Sequence, residues 1–172
     1  MDYYKGLLKN QIFPSLCAHR GLSALCPENT LPAFAAAIAF GAPEIELDIR
    51  LKKDNKMIVA HDHNLDRISN GTGLISEHKL SELLLLNTGK EIGWKTTFCT
   101  PEEVFSQFGN KVIINLHVKE SGSEGVLIKQ IYELIEKYKE SWDWYSLSQN
   151  KSLPYQLIKK YKTNLCWSIE LL

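Results

Sequence analysis

Histidine, arginine and carboxylate residues recur in the first third of the chain, in four short motifs that could perform phosphate chemistry. The motifs are His19-Arg20-Gly21, Pro27-Glu28-Asn29-Thr30, Glu46-Leu47-Asp48 and His61-Asp62. Histidines can move protons, an arginine can bind phosphate oxygens, and paired carboxylates can hold a metal ion beside the phosphate. The set is typical of metal-assisted cleavage of a phosphate ester.

Hydrophobic periodicity and capping residues predict the elements that must position these motifs. We expect strands at residues 15–18, 44–51, 57–60, 111–118, 142–147 and 164–169. Helices are expected from a cap at Asn29 or Thr30 to Ala39, and at 101–108, 124–139 and 150–161. The short turn at 52–56 favours an antiparallel hairpin, but the strand–helix alternation elsewhere favours a largely parallel α/β fold.

The expected strand ends bring the chemical groups to one place. In parallel barrels and open sheets, catalytic groups collect at the carboxyl ends of the strands. His19, Asp48, His61 and the polar end of Asn115–Lys119 all lie at or near such predicted ends. We therefore expect them to form one site.

Length and composition limit the other possibilities. The 172 residues suit one domain, with an insertion at about 62–98 that carries a short helix near 79–86. Lys+Arg and Asp+Glu both number 20, so the chain lacks the basic excess typical of nucleic-acid binding. Four cysteines without C-x-x-C spacing, and no apolar leader or transmembrane segment, predict a cytoplasmic protein.

The motifs occur in the order and spacing of the glycerophosphodiester phosphodiesterase family, which the chain resembles over residues 15–170. The resemblance implies a TIM-barrel-type parallel (β/α) fold, here truncated to about six strands. It also implies metal-dependent hydrolysis of a glycerophosphodiester to glycerol 3-phosphate and an alcohol. By the same resemblance, His19 and His61 form the acid–base pair, and Arg20 and Lys119 contact the phosphate. Glu28 is a further candidate substrate-binding residue, which could reach the substrate or a metal-bound water; the alternative is that its motif only caps the following helix.

The resemblance assigns a divalent cation, calcium or magnesium, to Glu46 and Asp48. The family's third carboxylate ligand is replaced here, because the strand reads Asn115-Leu116-His117-Val118-Lys119. Imidazole suits transition metals better than calcium or magnesium. If His117 is the third ligand, the bound ion could therefore be manganese or zinc. The alternative is that His117 is a pocket histidine without a ligand role.

Six strands cannot close an eight-stranded barrel, and an open barrel leaves unpaired edges. We therefore expect a truncated chain, or closure by another chain through self-association. The alternative function is a non-catalytic or inactive fragment of the same scaffold that binds phosphate ligands. A further alternative is a phospholipase D-like activity on lysophospholipids, which related barrels possess.

Overall fold

The computed structural model describes residues 16–109, 111–120 and 122–138. The predicted elements at 142–147, 150–161 and 164–169 lie outside the described residues. The described strands are β1 (Cys17–His19), β2 (Glu44–Leu51), β3 (Met57–Val59) and β4 (Ile113–Val118). The described α-helices are α1 (Leu31–Ala39), α2 (Leu65–Ile68), α3 (Leu80–Leu83), α4 (Pro101–Phe108) and α5 (Val126–Tyr138).

β2 is the central strand of the described sheet, and β1 and β4 run parallel to it. Residues Glu44–Glu46 of β2 pair with β1, and residues Glu44–Ile49 pair with β4 on the opposite edge. Helix α1 connects β1 to β2, and α4 precedes β4. The arrangement confirms the predicted α/β class.

β3 is antiparallel to β2, as the short turn at 52–56 predicts. Ile49–Leu51 pair with Met57–Val59, beyond the stretch of β2 that pairs with β1. β1 and β3 therefore occupy successive stretches of one edge of β2. The backbone N–H of Ala60 donates to the carbonyl of Asp48 at 3.0 Å, so the chain returns from the hairpin to the level of Asp48.

Alternation along β2 separates the main core from a polar face. The odd-numbered residues from Ile45 to Leu51 pack into a core shared with α1, α4 and α5. Glu46, Asp48 and Arg50 lie on the opposite face and are also buried, at 7%, 0% and 6% exposure. Since buried charges need partners, this polar face must be matched by groups from neighbouring elements.

The stretch at 62–98 has its own small core. Its members come from β3 and the residue directly after it, from the short helices and from the segment before α4: Ile58, Ala60, Leu65, Ile75, Leu83 and Phe98. The sequence predicts one short helix here, but the structure has α2, α3 and 3₁₀ segments at Ile75–Glu77 and Lys90–Ile92. Elements of three or four residues are too short to produce a hydrophobic period, which explains the difference. Its status as an insertion in a single domain stays a prediction.

α5 begins two residues later than the periodicity predicts. Glu124 has a φ of +53°, which is incompatible with an α-helix, so the helix starts at Val126 after a 3₁₀ turn. Its apolar face packs into the main core through Leu127, Ile131 and Leu134. Among the described residues, no helix combines the length and the apolar character needed to cross a bilayer.

Candidate active site

The turn after β1 fixes the positions of His19 and Arg20. Arg20 has a φ of +59° and Gly21 a φ of +80°, so the chain turns sharply where β1 ends. A Cβ on Gly21 would lie 2.6 Å from the carbonyl carbon of Ala33 in α1, so glycine is needed for space as well as for φ. The turn directs the backbone N–H of Arg20 to Oε2 of Glu46, at 3.1 Å.

Asn29 holds the most buried carboxylate of the site. Its Nδ2 donates to Oδ2 of Asp48 at 2.9 Å, and its Oδ1 accepts from the backbone N–H of Asp48 at 3.2 Å. The sequence leaves Asn29 and Thr30 open as the cap of α1. The structure gives the cap to Thr30, whose side chain accepts from the N–H of Ala33, and this leaves the Asn29 side chain for Asp48.

β4 adds His117 and Lys119 to the same carboxylates. His117 lies opposite Asp48 in the parallel register, and its Nδ1 is 3.2 Å from Asp48 Oδ1 and 3.6 Å from Glu46 Oε1. Nζ of Lys119 lies 2.9 Å from Asp48 Oδ1. Glu46, Asp48 and His117 offer ligand atoms within 4.8 Å of one another, so this group could hold a metal ion.

Two buried oxygens test whether this group suits a cation. Within the described ranges, Glu46 Oε1 and Asp48 Oδ1 are buried and no hydrogen bond of regular geometry reaches them, although the Lys119 ammonium lies 2.9 Å from Asp48 Oδ1 and lowers the pKa of that carboxyl group. A buried carboxylate oxygen without a donor is costly. A divalent cation would satisfy both oxygens, so the residues present fit one.

The two carboxyl groups differ in pKa. Burial and the adjacent Asp48 raise the pKa of Glu46 above its usual value. Burial also acts to raise the pKa of Asp48, but Asn29 and Lys119 outweigh it and lower that pKa. Asp48 is therefore firmly ionised, and Glu46 gains most from added positive charge.

His19 lies at the carboxyl end of β1, beside this carboxylate pair. Its Nε2 is 3.9 Å from Oε2 of Glu46, and 66% of its side chain is exposed. The ring is thus near the candidate cation group and open to a molecule that approaches the strand ends. This placement agrees with the predicted position of His19, and its role in proton transfer stays a prediction.

Arg20 contacts two carboxylates across the site. Its Nε lies 3.4 Å from Asp48 Oδ2, and its Nη1 donates to Glu28 Oε1 at 3.2 Å. A guanidinium has five N–H donors, more than these two contacts use. Arg20 could therefore also bind the oxygens of a phosphate group.

His61 follows the hairpin and is fixed first through its backbone. The buried side chain of Arg50 donates Nε and Nη2 to the carbonyl of His61, at 2.8 and 2.6 Å. Nη1 of Arg50 also lies 2.9 Å from Nδ1 of His63. The ring of His61 has its Nδ1 2.8 Å from Oδ1 of Asp62, and Arg67 links Asp62 to Glu28.

All the predicted site residues belong to one network of contacts. They are His19, Arg20, Glu28, Glu46, Asp48, His61, His117 and Lys119. Asp48 lies three residues before the end of β2, as the predicted bounds place it, and one residue before the end of the parallel pairing with β4. The roles of these residues stay predictions.

Sequence reasoning missed three residues that organise the site: Asn29, Arg50 and Arg67. Asn29 belongs to a recognised motif, but the sequence indicates it only as a candidate helix cap. Arg50 continues the alternation of Glu46 and Asp48 along β2, so the strand pattern predicts its face correctly but gives it no role in the site. Arg67 lies on the four-residue helix α2, where no periodic pattern marks it.

Comparisons with known proteins find relatives that are enzymes cleaving phosphodiester bonds. The chain is 40% identical over 125 residues to a glycerophosphodiester phosphodiesterase of Caldanaerobacter subterraneus subsp. tengcongensis. The aligned region covers 67% of this chain and 51% of that protein. It is 30% identical over 167 residues to a human lysophospholipase D, GDPD1, which covers 91% of this chain and 51% of the relative. The chain thus spans about half the length of these curated relatives.

A solved structure matches the fold as well. An Oleispira antarctica phosphodiesterase, in complex with the product sn-glycerol-3-phosphate, is 30% identical with a TM-score of 0.65. The match covers 87% of this chain and 62% of that one, and it confirms the TIM-barrel-type fold. The model of the glycerophosphoryl diester phosphodiesterase family matches residues 19–170. The chain belongs to the glycerophosphoryl diester phosphodiesterase family.

Proposed function

We propose that this protein is a metal-dependent phosphodiesterase that hydrolyses glycerophosphodiesters to glycerol 3-phosphate and an alcohol. The observation that carries the proposal is the buried pair Glu46 and Asp48, in which, among the described residues, no hydrogen bond reaches Glu46 Oε1 and the cationic groups of Arg20 and Lys119 lie beside Asp48. Such a group suits a cation and a phosphate together. Family membership and the names of the relatives support the same reaction.

Glu46, Asp48 and His117 would hold the divalent cation, which when bound supplies positive charge beside the phosphate. Two carboxylates and one imidazole form a mixed oxygen and nitrogen donor set. Such a set favours manganese or zinc more than three carboxylates would. Calcium or magnesium remains the expectation from the family resemblance.

The side chains of the site divide the remaining work. Arg20 and Lys119 bind the phosphate oxygens and stabilise the charge that develops there. One of His19 and His61 accepts the proton of the neighbouring glycerol hydroxyl as its oxygen forms a bond to phosphorus. The other donates a proton to the alcohol oxygen as its bond to phosphorus breaks. Water then opens the cyclic phosphate.

The test is release of glycerol 3-phosphate from glycerophosphocholine by the full chain, assayed with each divalent metal in turn. His19→Ala and His61→Ala should each lower kcat by about 10²-fold or more, the usual contribution of general acid–base catalysis. His78→Ala is the matched control, because His78 pairs with Glu82 outside the site. Full activity in both site variants would contradict the assignment.

A non-catalytic protein that binds phosphate ligands is the second candidate. It is supported by His117 at the position where the family resemblance places a carboxylate. Calorimetric titration with Mn²⁺ and with glycerol 3-phosphate separates the two candidates. Binding without turnover under any metal would favour the second candidate over the enzyme.

A lysophospholipid is the alternative substrate, supported by the name of the human relative. Cleavage on the alcohol side of phosphorus would release choline from both lysophosphatidylcholine and glycerophosphocholine. The ratio of kcat/KM for the two substrates decides between them. We expect the ratio to favour glycerophosphocholine.

We also propose a cytoplasmic location. Cys17, Cys26 and Cys99 are free thiols, which suits a reducing compartment. Fractionation of the native host, with detection of this chain in the soluble cell extract, tests the proposal. Recovery from the extracellular or membrane fraction would contradict it.

A further inference from the structure

Arg67 connects two segments that carry predicted site residues, one with His61 and the other with Glu28. Its Nε and Nη2 donate to the two oxygens of Asp62, at 2.6 and 2.8 Å. Its Nη1 and Nη2 also donate to the two oxygens of Glu28, at 3.0 and 2.7 Å. Arg67 thus bridges the segment after β3 to the segment before α1 with four hydrogen bonds, each between charged groups.

The contact between Arg67 and Asp62 determines which ring nitrogen of His61 carries the proton. Asp62 accepts from Arg67 through both oxygens and is therefore an ionised, acceptor-only group. Since Oδ1 of Asp62 lies 2.8 Å from Nδ1 of His61, the proton of that contact must belong to Nδ1. A neutral His61 then has its lone pair at Nε2, the atom available to accept a proton from substrate.

The contact between Arg67 and Glu28 helps to fix the position of Arg20. Glu28 Oε1 accepts from Nη1 of Arg20 at 3.2 Å and from Nη2 of Arg67 at 2.7 Å. The carboxylate is held by two guanidinium groups, and half of the Arg67 side chain is exposed. Glu28 is therefore too occupied to serve as a cation ligand, although it lies close to His61 and Asp62.

Backbone contacts do not achieve this orientation by themselves. Arg50 holds the carbonyl of His61, but this leaves the ring free to rotate about its side-chain bonds. The ring lies in an irregular segment just beyond β3 and is one-third exposed. The pair Asp62 and Arg67 is what fixes the ring.

We propose that Arg67 is a positioning residue of the active site, which acts through Asp62 to present Nε2 of His61 as the proton acceptor and through Glu28 to hold Arg20 against the phosphate. The inference rests on the proposed function. It assigns the base role to His61, and by exclusion the acid role to His19. The same residue thereby couples proton transfer to phosphate binding.

The variants that test this are Asp62→Asn, Arg67→Met and Arg67→Lys, each made in the full chain. Asp66→Asn is the matched control for Asp62→Asn, because it removes the same charge from an exposed position four residues away. Thermal unfolding of each variant shows whether it is folded. The ring of His61 is read by long-range ¹H–¹⁵N correlation NMR, with His61→Gln used to assign its signals.

We expect the wild-type His61 ring to be protonated at Nδ1, and Asp62→Asn and Arg67→Met to give a mixture of both ring forms. Their kcat should fall by about 10²-fold, as for other residues that orient a catalytic histidine. Arg67→Met should also raise KM by about tenfold through Arg20, whereas Arg67→Lys should recover part of kcat because it keeps one charged contact.

Unchanged ring protonation in both Asp62→Asn and Arg67→Met would overturn the proposal. So would kcat values within about twofold of wild type in folded variants. If the wild-type chain has no activity, the proposed function fails, but the NMR measurement still tests the positioning role. The two failures are therefore distinguishable.

Discussion

At the scale of single residues, the site depends on neutral and charged partners that stabilise buried carboxylates. Asp48 is fully buried, yet Asn29 and Lys119 keep its pKa low. Of these, Asn29 makes two hydrogen bonds to one residue and was identified in the sequence only as a cap candidate. Motif membership located it, but its partner depends on a φ of +57° that no sequence pattern specifies.

Asn29→Gly is expected to weaken divalent cation binding by about 10- to 100-fold, the usual cost of removing a group that orients a ligand. Glycine tolerates the positive φ, so the change removes the amide without adding backbone strain. Calorimetric titration with Mn²⁺ measures the loss. Asn55→Gly, at a φ of +54° in the turn between β2 and β3, is the matched control and should bind as wild type.

His117→Glu is expected to restore a three-carboxylate group and to change cation preference. Calcium and magnesium should bind more tightly and zinc less tightly, because hard cations prefer oxygen donors. Parallel titrations with Ca²⁺, Mg²⁺, Mn²⁺ and Zn²⁺ measure the order of affinities. His117→Ala distinguishes a ligand from a pocket histidine, since equal Zn²⁺ affinity in that variant would exclude a ligand role.

At the scale of elements, periodicity predicted most of what positions the site. β2 and α4 have the predicted bounds, because one alternates cleanly and the other begins with a capping box and Pro101. The hairpin followed from the length of its turn. Of the short helices of residues 62–98, α3 lies where the helix near 79–86 was predicted. The others were not predicted, since their positions depend on packing against β3 and the segment before α4.

Gly21→Ala is expected to destabilise the fold by about 2 kcal/mol or more, because it combines a positive φ with a clash against α1. Gly41→Ala is the matched control, with a φ of +84° and no neighbouring atom within 4 Å of the added Cβ. It should cost about 1 kcal/mol, from φ alone. Denaturant unfolding measures both, and equal losses would show that contact with Ala33 does not matter.

At the scale of the whole molecule, the ion pairs around Arg67 make stability depend on pH. Hydrogen bonds from Arg67 lower the pKa of Asp62 in the folded chain. A carboxyl group with a lowered pKa stabilises the fold above its unfolded pKa, near 3.8 for Asp, and loses that contribution as the pH falls toward the folded value. The free energy of unfolding should therefore fall as the solution is acidified.

Denaturant unfolding from about pH 6 to about pH 3 measures this dependence. Asp62→Asn should lower stability at the upper end of the range and flatten the curve at the acid end. Asp66→Asn should retain the slope of the wild type, since Asp66 is exposed. Identical slopes for wild type and Asp62→Asn would show that the ion pair contributes no stability.

Self-association stays a prediction at the same scale. Within the described residues, β1 and β4 each pair on one side, with β2. From the sequence, we predicted that another chain covers the unpaired strand edges of an open barrel. Sedimentation velocity at several protein concentrations measures the oligomeric state, and a monomer at all of them would contradict the prediction.

The alternation of β2 has a consequence for how the family can diverge. Core residues and charged residues occupy opposite faces of this one strand, in strict turn from Ile45 to Leu51. Gain or loss of a single codon within it would move every later apolar side chain to the charged side, and every later charge into the core. Such a change would disrupt both faces of the sheet at once, whereas the neighbouring loops can change in length without altering the register of β2. The strand should evolve by substitution alone.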